Sequence, residues 1–474
     1  MKYKRLYKPT LQNIDNNISI ALENIQILNH ILNPFCTVYT SEVLKHVQKI
    51  KTCTNHGNLT GMIIGIKDLF CYKDHPIQAS SNILSSYQSS FNSTVVERIL
   101  SSDGLIIGHQ NCDSFGMGAT NENSIYGPVK NFYDITKVSG GSSGGSAVGV
   151  QCDMCHVSLG TDTGGSVRQP AAFCGIIGFK PSYGQISRHG VIAHASSFDT
   201  VGIMSKDINS IIKVYDTISG QDDYDFSMHI SRQKDLLAKS KDILQYNYKN
   251  KIKIAYIGNI MALSCLQKEI KKQVKSFLTY LQKQNNCDIE EIHCNFLEDT
   301  VPIYITITTT EASSNLARYD GIRYGYNSNH GKNFEECISH NRTYGFNDEV
   351  KKRILLGNYI FTLEKNNHFL EKAHILREKI KLTLNDIFTK YDFIVLPTTI
   401  TTAFKINDKI SDDILFWSDV CTFIASIGQN PAISIPYGHD DNSMPIGIQI
   451  IGKKYDDSKL LTFIQHILKD EFYL

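Results

Sequence analysis

The sequence predicts an α/β fold, and three observations carry that expectation. Short continuous apolar runs, LTGMIIGIKDLF at 59–70, AISIPY at 432–437 and PIGIQII at 445–451, have the length and β-branched content of strands buried on both faces. Helical spacing alternates with such runs at 93–109, 208–218, 252–281 and 373–396, with no fixed-period repeat beneath it. A chain of 474 residues can also bury a large core, as one domain or a few.

Taken in order, Asn13–Leu32 places Ile, Leu and Ala at helical intervals and stops before Asn33-Pro34. Thr40–Lys51 reads as a second helix, and the strand in 59–70 carries Lys67 near its end. Ser93–Leu100 is a helix that Ser93 or Thr94 can cap, with Glu97 three residues after Thr94, and Asp103–His109 is the strand that follows. Further on come helix Ile208–Ile218, strand Ile252–Ile257 with helix Gln267–Leu281, helix Ala373–Phe388 with strand Asp392–Leu396, and a last helix, Ser458–Leu468. Residues 221–250 are polar and charged and read as a surface excursion.

Composition narrows the function classes. Lys+Arg 48 against Asp+Glu 47 leaves a net charge of +1, so no global field draws the chain to nucleic acid or an anionic membrane. No apolar run approaches the roughly 20 residues of a membrane span, and the N-terminus has no hydrophobic signal core. The 12 scattered cysteines fit reduced thiols, so the expected location is the cytoplasm. Cys152-Asp-Met-Cys155-His156 has the haem-attachment spacing, but no export signal and no second C-x-x-C accompany it; these cysteines are expected as small buried residues, and no metal site is expected.

The chemistry lies in two glycine-rich serine loops, Gly140–Ser146 and Gly160–Ser166, joined by a segment that reads as helix then strand. A phosphate-binding P-loop is excluded, because Ser146 and Ala147 stand where its lysine and hydroxyl would be needed. G-x-S-x-G does occur at 140–144, but the turn-like segment before it lacks the strand that a hydrolase nucleophile elbow requires. What remains is two serines and Lys67. A lysine carried inward by a strand is pushed towards neutrality and can serve as a base, although pairing with Asp68 or snorkelling to the surface fits Lys67 as well. Gly164 and Gly165 can expose N–H groups to an oxyanion beside the hydroxyl of Ser166, which makes Ser166 the candidate nucleophile.

GGSSGGS at 140–146, LGTDTGGSVRQPAAFCGIIGFKP at 159–181 and GIKD at 65–68 closely resemble the amidase signature family. The resemblance implies that Ser142 is a cis-peptide serine that relays a proton, Ser166 the acylated nucleophile and Lys67 the base, with the N–H groups of Thr163, Gly164 and Gly165 as the oxyanion hole. It also implies one large α/β/α domain around a mixed central sheet over 59–474, preceded by an N-terminal helical arm over 1–58.

Further segments, ATNENSIYGP at 119–128, TEASSNLARYDGIRYG at 310–325, EVKKRILLG at 349–357, DVCTFIASIGQNPAISIPYG at 419–438 and PIGIQIIGK at 445–453, are similar to one branch of that family, the amidase subunits of glutamyl-tRNA(Gln)/aspartyl-tRNA(Asn) amidotransferases. That branch implies a glutaminase whose ammonia amidates Glu-tRNA(Gln) or Asp-tRNA(Asn), with glutamine gripped by Tyr304, Arg353 and Asp419. It implies a heterotrimer with two other subunits, B and C, in which the partner handles tRNA and uses ATP and Mg while this chain needs no cofactor. An arginine fork suits the α-carboxylate and a carboxylate the α-ammonium of glutamine. Two other readings are a stand-alone amidase for small amides and a catalytically silent scaffold; intact Lys67, Ser142 and Ser166 speak against the second. The departures from the branch are His109, Ser114 and His194. With 16 histidines present, His189 and His194 invite a Ser-His scheme, but both fall after the core motifs.

Overall fold

The computed structural model describes residues 3–228, 251–284 and 287–469, so all but the start of the 221–250 excursion lies outside the described residues. Among them, eleven strands form one sheet: β1 (Phe35–Val38), β2 (Ile63–Lys67), β3 (Leu105–Gln110), β4 (Val157–Asp162), β5 (Ile177–Lys180), β6 (Thr200–Ser205), β7 (Ile252–Ile257), β8 (Cys287–Ile292), β9 (Phe393–Pro397), β10 (Ala432–His439) and β11 (Pro445–Gly452). Their spatial order is β1-β3-β2-β4-β6-β5-β10-β11-β9-β7-β8. The β3-β2-β4 group and the β9-β7-β8 group are parallel, and the pairs between them are antiparallel. The sheet is therefore mixed, as expected.

Alternation along the strands divides the interior into two layers. Ile64 and Ile66 of β2 face one core, with Ile106 of β3 and Val157 and Leu159 of β4, while Ile63, Leu105 and Ile107 face another. Successive side chains on a strand point to opposite faces, so a strand covered on both sides must be apolar throughout, which is the pattern of 59–70. Helices Thr94–Ser101, Ile208–Ile218 and Asp457–Lys469 close the first core. Helices Ile14–Leu32, Thr40–Thr52 and Gly144–Gln151 close the second, and all eight residues of the last are buried.

Boundaries follow local chemistry. Asn33 adopts the left-handed conformation (φ 61°) that ends the first helix, ahead of Pro34. Ser93, rather than Thr94, caps its helix, accepting from the Val96 N–H. β2 is shorter than the apolar run because Leu59–Gly61 form a turn with Gly61 at φ 79°, and beyond Lys67 the N–H groups of Leu69 and Phe70 fold back onto the Lys67 carbonyl. β1 has no comparable pattern: four residues, only the first fully buried, sit at the sheet edge against β3. Gly108 of β3 makes that docking possible, since a Cβ there would lie 2.2 Å from the Thr37 carbonyl oxygen.

Gly108→Ala is therefore expected to push β1 off the edge, at a cost of about 1–3 kcal/mol. A lowered Tm and new protease cleavage within residues 33–52 are the readouts; an unchanged digest would show that the edge absorbs the methyl group.

Candidate active site

The two serine loops meet where β2 and β4 end, side by side. Lys67, the last residue of β2, is fully buried, and its Nζ lies 2.7 Å from Ser142 Oγ, 2.9 Å from Ser143 Oγ and 2.9 Å from Thr161 Oγ1. Its neighbour Asp68 does not pair with it. The Asp68 carboxylate accepts instead from the N–H groups of Gln78 and Ser80, and burial raises its pKa to about 7. Among the described residues Lys67 forms no ion pair, and burial lowers its pKa although Cys112, Asp113, Asp199 and Asp162 pull it back up. Three hydroxyls accept from an ammonium and donate to an amine with equal ease, so the contacts tolerate the neutral form.

Ser142 follows Gly141 through a cis peptide bond, and the Gly141 N–H donates to Gln169 Oε1 at 3.1 Å. Gly141 has no space for a side chain, because a Cβ would lie 2.2 Å from Asp113 Oδ2. The loops are joined directly, the Ser143 N–H donating to the Ser166 carbonyl at 3.1 Å.

The Ser166 loop is held from beneath by a buried ion pair, Asp162–Arg168, neither side chain having any exposure. Asp162 Oδ1 accepts the Gly165 N–H at 2.8 Å and Arg168 Nη2 at 2.8 Å, while Oδ2 accepts Arg168 Nε at 3.0 Å and the Val167 N–H at 3.2 Å. Arg168 also reaches the Thr422 carbonyl at 2.8 Å, Gln449 Oε1 at 2.6 Å and Ser426 Oγ at 3.0 Å. Burial raises the pKa of Asp162, but the guanidinium outweighs it and holds the carboxyl below its usual value. One expected oxyanion donor is thereby already engaged: the Gly165 N–H belongs to Asp162. The N–H groups of Thr163, Gly164 and Ser166 carry no partner among the described residues.

Ser166 opens onto a cavity of about 270 Å³, whose wall also holds Gln169, His194, Tyr304, Arg353 and Asp419. That lies just below the about 300–1,000 Å³ of drug-sized ligand cavities and suits a molecule the size of an amino acid. The larger groove of about 700 Å³ between Ile292–Phe296 and helix Phe369–Lys390 contains none of Lys67, Ser142 and Ser166. Tyr304 stacks on Phe423 with ring centroids 3.8 Å apart, and its hydroxyl passes so close to Gly164 that a Cβ there would be 2.6 Å away. Arg353 donates through Nε to Glu349 Oε1 at 3.0 Å, one turn back on helix Asp348–Asn367. Asp419 makes no side-chain hydrogen bond among the described residues, and burial raises its pKa to about 7 despite the opposing pull of Arg353.

Of the nine residues that the resemblance assigns, Gly164, Gly165, Ser166, Tyr304, Arg353 and Asp419 line this cavity, Thr163 precedes them on the Ser166 loop, and Lys67 bonds to Ser142 on the other loop; further residues join them. Ser143 and Thr161 complete the lysine's contacts, Glu349 orients Arg353, and Thr422 donates through Oγ1 to the Gly164 carbonyl at 2.7 Å. Glu349 had a legible signal, four residues before Arg353 on a helix; Thr422 had none. His189 stacks on Tyr224 away from this cavity, whereas His194 lies in its wall. His109 is buried, with Nε2 2.9 Å from the Phe70 carbonyl and Nδ1 against Tyr39 Oη. Ser114 donates to the Ser80 carbonyl at 2.5 Å. Cys152 and Cys155 are buried, as expected.

Residues 16–461 match the family model described as amidase. The chain is 38% identical over 445 residues to the A-subunit of glutamyl-tRNA(Gln) amidotransferase from Prochlorococcus marinus, across 93% of this chain and 90% of that one. It is 35% identical over 476 residues to the protein of the same name from Chlorobium phaeobacteroides, across 99% and 98%. Among solved structures, the glutamyl-tRNA(Gln) amidotransferase A-subunit of Thermotoga maritima superposes with a TM-score of 0.78 at 29% identity, over 98% of this chain and 93% of that one.

Removing one partner of the buried pair strands the other charge. Arg168→Met is expected to cost about 3–5 kcal/mol, read as a large fall in Tm, whereas Arg188→Met, at a partly exposed pair with Asp225, shifts it far less. Equal shifts would show that Asp162–Arg168 does not organise the loop.

Proposed function

The chain belongs to the amidase signature family, and we propose that it is the glutamine-hydrolysing subunit of a tRNA-dependent amidotransferase, releasing ammonia to amidate Glu-tRNA(Gln), and Asp-tRNA(Asn) where the partner presents it. The observation that carries this reading is one cavity with Ser166 at one end and both an arginine and an unpaired carboxylate in its wall, backed by a lysine held only by hydroxyls. The relatives' shared name, over nearly the whole chain, supports the tRNA-linked role.

Glutamine enters with its α-carboxylate on Arg353, kept in place by Glu349, and its α-ammonium on Asp419. Tyr304 closes the wall beside the Gly164 turn. Neutral Lys67 takes a proton from Ser142 as Ser142 takes one from Ser166, whose Oγ attacks the side-chain carboxamide carbon. The oxyanion falls to the N–H groups of Thr163, Gly164 and Ser166, with the Gly165 N–H keeping the turn on Asp162. Ser142 then returns the proton to the nitrogen as the C–N bond breaks, ammonia leaves, and water cleaves the glutamyl ester by the same relay. Ammonia passes to a partner that activates the tRNA-borne carboxylate with ATP and Mg, in a heterotrimer completed by the B and C subunits. These subunits work in the cytoplasm. No helix of the described residues is long and apolar enough to cross a membrane.

The test is Ser166→Ala in the assembled complex. Glutamine hydrolysis is expected to vanish while amidation of Glu-tRNA(Gln) from added ammonium persists; residual glutaminase activity, or loss of the ammonium reaction, would overturn the assignment.

The two ends of the cavity should titrate separately. Asp419 must be ionised to hold the ammonium, and its pKa is raised to about 7, so KM for glutamine is expected to rise about tenfold per pH unit below that point. Lys67 must be neutral and its pKa lies below the ordinary 10.5, so kcat is expected to climb with pH and level off short of that value. Lys67→Arg, which cannot lose its proton, should be as inactive as Lys67→Ala. An active arginine variant would take Lys67 out of the relay.

A further inference from the structure

His194 lies in the wall of the same cavity as Ser166 and Arg353, only 4% exposed, and neither of its ring nitrogens has a hydrogen-bond partner among the described residues. Its backbone, in contrast, is fixed on both sides: the N–H donates to Asp199 Oδ2 at 2.9 Å and the carbonyl accepts from Asn315 Nδ2 at 3.1 Å. The other oxygen of Asp199 accepts from Thr163 Oγ1 at 2.8 Å, so one carboxylate ties His194 to the loop that carries Ser166. Buried polar atoms are almost always paired, and an imidazole held in place with both nitrogens idle is placed for a ligand. Burial, with Arg353 nearby, keeps the ring neutral, with one donor and one acceptor nitrogen.

A primary carboxamide has a carbonyl oxygen and two N–H donors. The loop N–H groups claim the oxygen, which leaves the N–H groups in want of an acceptor. We propose that the unprotonated ring nitrogen of His194 accepts a hydrogen bond from the N–H of the substrate carboxamide, positioning that amide for Ser166 and selecting amides over esters. The inference rests on the amide-hydrolase reading above and adds to it the group that reads the scissile nitrogen.

The test compares an amide with its ester, using the full chain in its native complex. His194→Phe keeps the ring and removes both nitrogens. Its kcat/KM for glutamine is expected to fall about tenfold, the worth of one neutral hydrogen bond, while that for glutamate γ-methyl ester, which has no N–H at the reacting carbon, stays within about twofold. His194→Gln, whose side-chain carbonyl is an acceptor, should recover part of the amide preference. Equal losses on amide and ester, or no loss on either, would overturn the proposal. A wild-type complex that cleaves butyramide but not glutamine would defeat the glutamine reading instead, and the same selective loss on butyramide against methyl butyrate would still support the role of His194.

Discussion

The reaction centre depends on one buried ion pair. Asp162 and Arg168 bracket the Ser166 turn and are wholly shielded from water, an arrangement whose desolvation cost is offset only when nearly every remaining donor and acceptor is satisfied. Here that condition is met. The carboxylate gathers the N–H groups of Gly165 and Val167, and the guanidinium reaches the Thr422 carbonyl, Ser426 and Gln449. Because those acceptors sit on helix Asp412–Ile427 and on β11, the pair joins the serine turn to the helix that carries Asp419. Ser166 and Asp419 are thus linked through one network of hydrogen bonds.

In the same site the low-dielectric interior is also used in the opposite way. Lys67 meets hydroxyls where Arg168 meets a carboxylate, and burial pushes the lysine towards neutrality. Sequence adjacency does not decide the partner: Asp68, next to Lys67, turns its carboxylate to the N–H groups of Gln78 and Ser80. Lys67 is the last residue of β2 and Asp68 begins the turn beyond it, so the end of the strand separates an acid and a base that are neighbours in sequence. Burial thus favours an uncharged amine at this position, held by hydroxyls and by no ion pair among the described residues.

The cavity wall shows a third use of the interior, polar groups left without partners. The Asp419 side chain has no hydrogen bond among the described residues, and neither have the ring nitrogens of His194. Such groups lower the stability of the empty protein and find their partners in a ligand, a trade of stability for recognition common at binding sites.

The sequence by itself determined the local content: apolar runs long enough for β2, β3, β10 and β11, the helix that ends at Asn33, a cap at Ser93 or Thr94, and two glycine-rich turns that place serines beside bare backbone. It also carried the motifs through which Lys67, Ser142 and Ser166 could be named, since their residue types and flanking glycines are local. Edge strand β1 escaped notice because a four-residue strand buried on one side has too little pattern. Only the tertiary structure decided that β2 and β4 lie side by side, which brings Lys67 to Ser142 across 75 residues, and that Arg168 meets Gln449 across 281. Thr422 and His194 gain their places in the same way. The physical reason is that propensity and periodicity act over a few residues, whereas sheet order, burial and the pairing of charges are settled by which distant surfaces exclude water together.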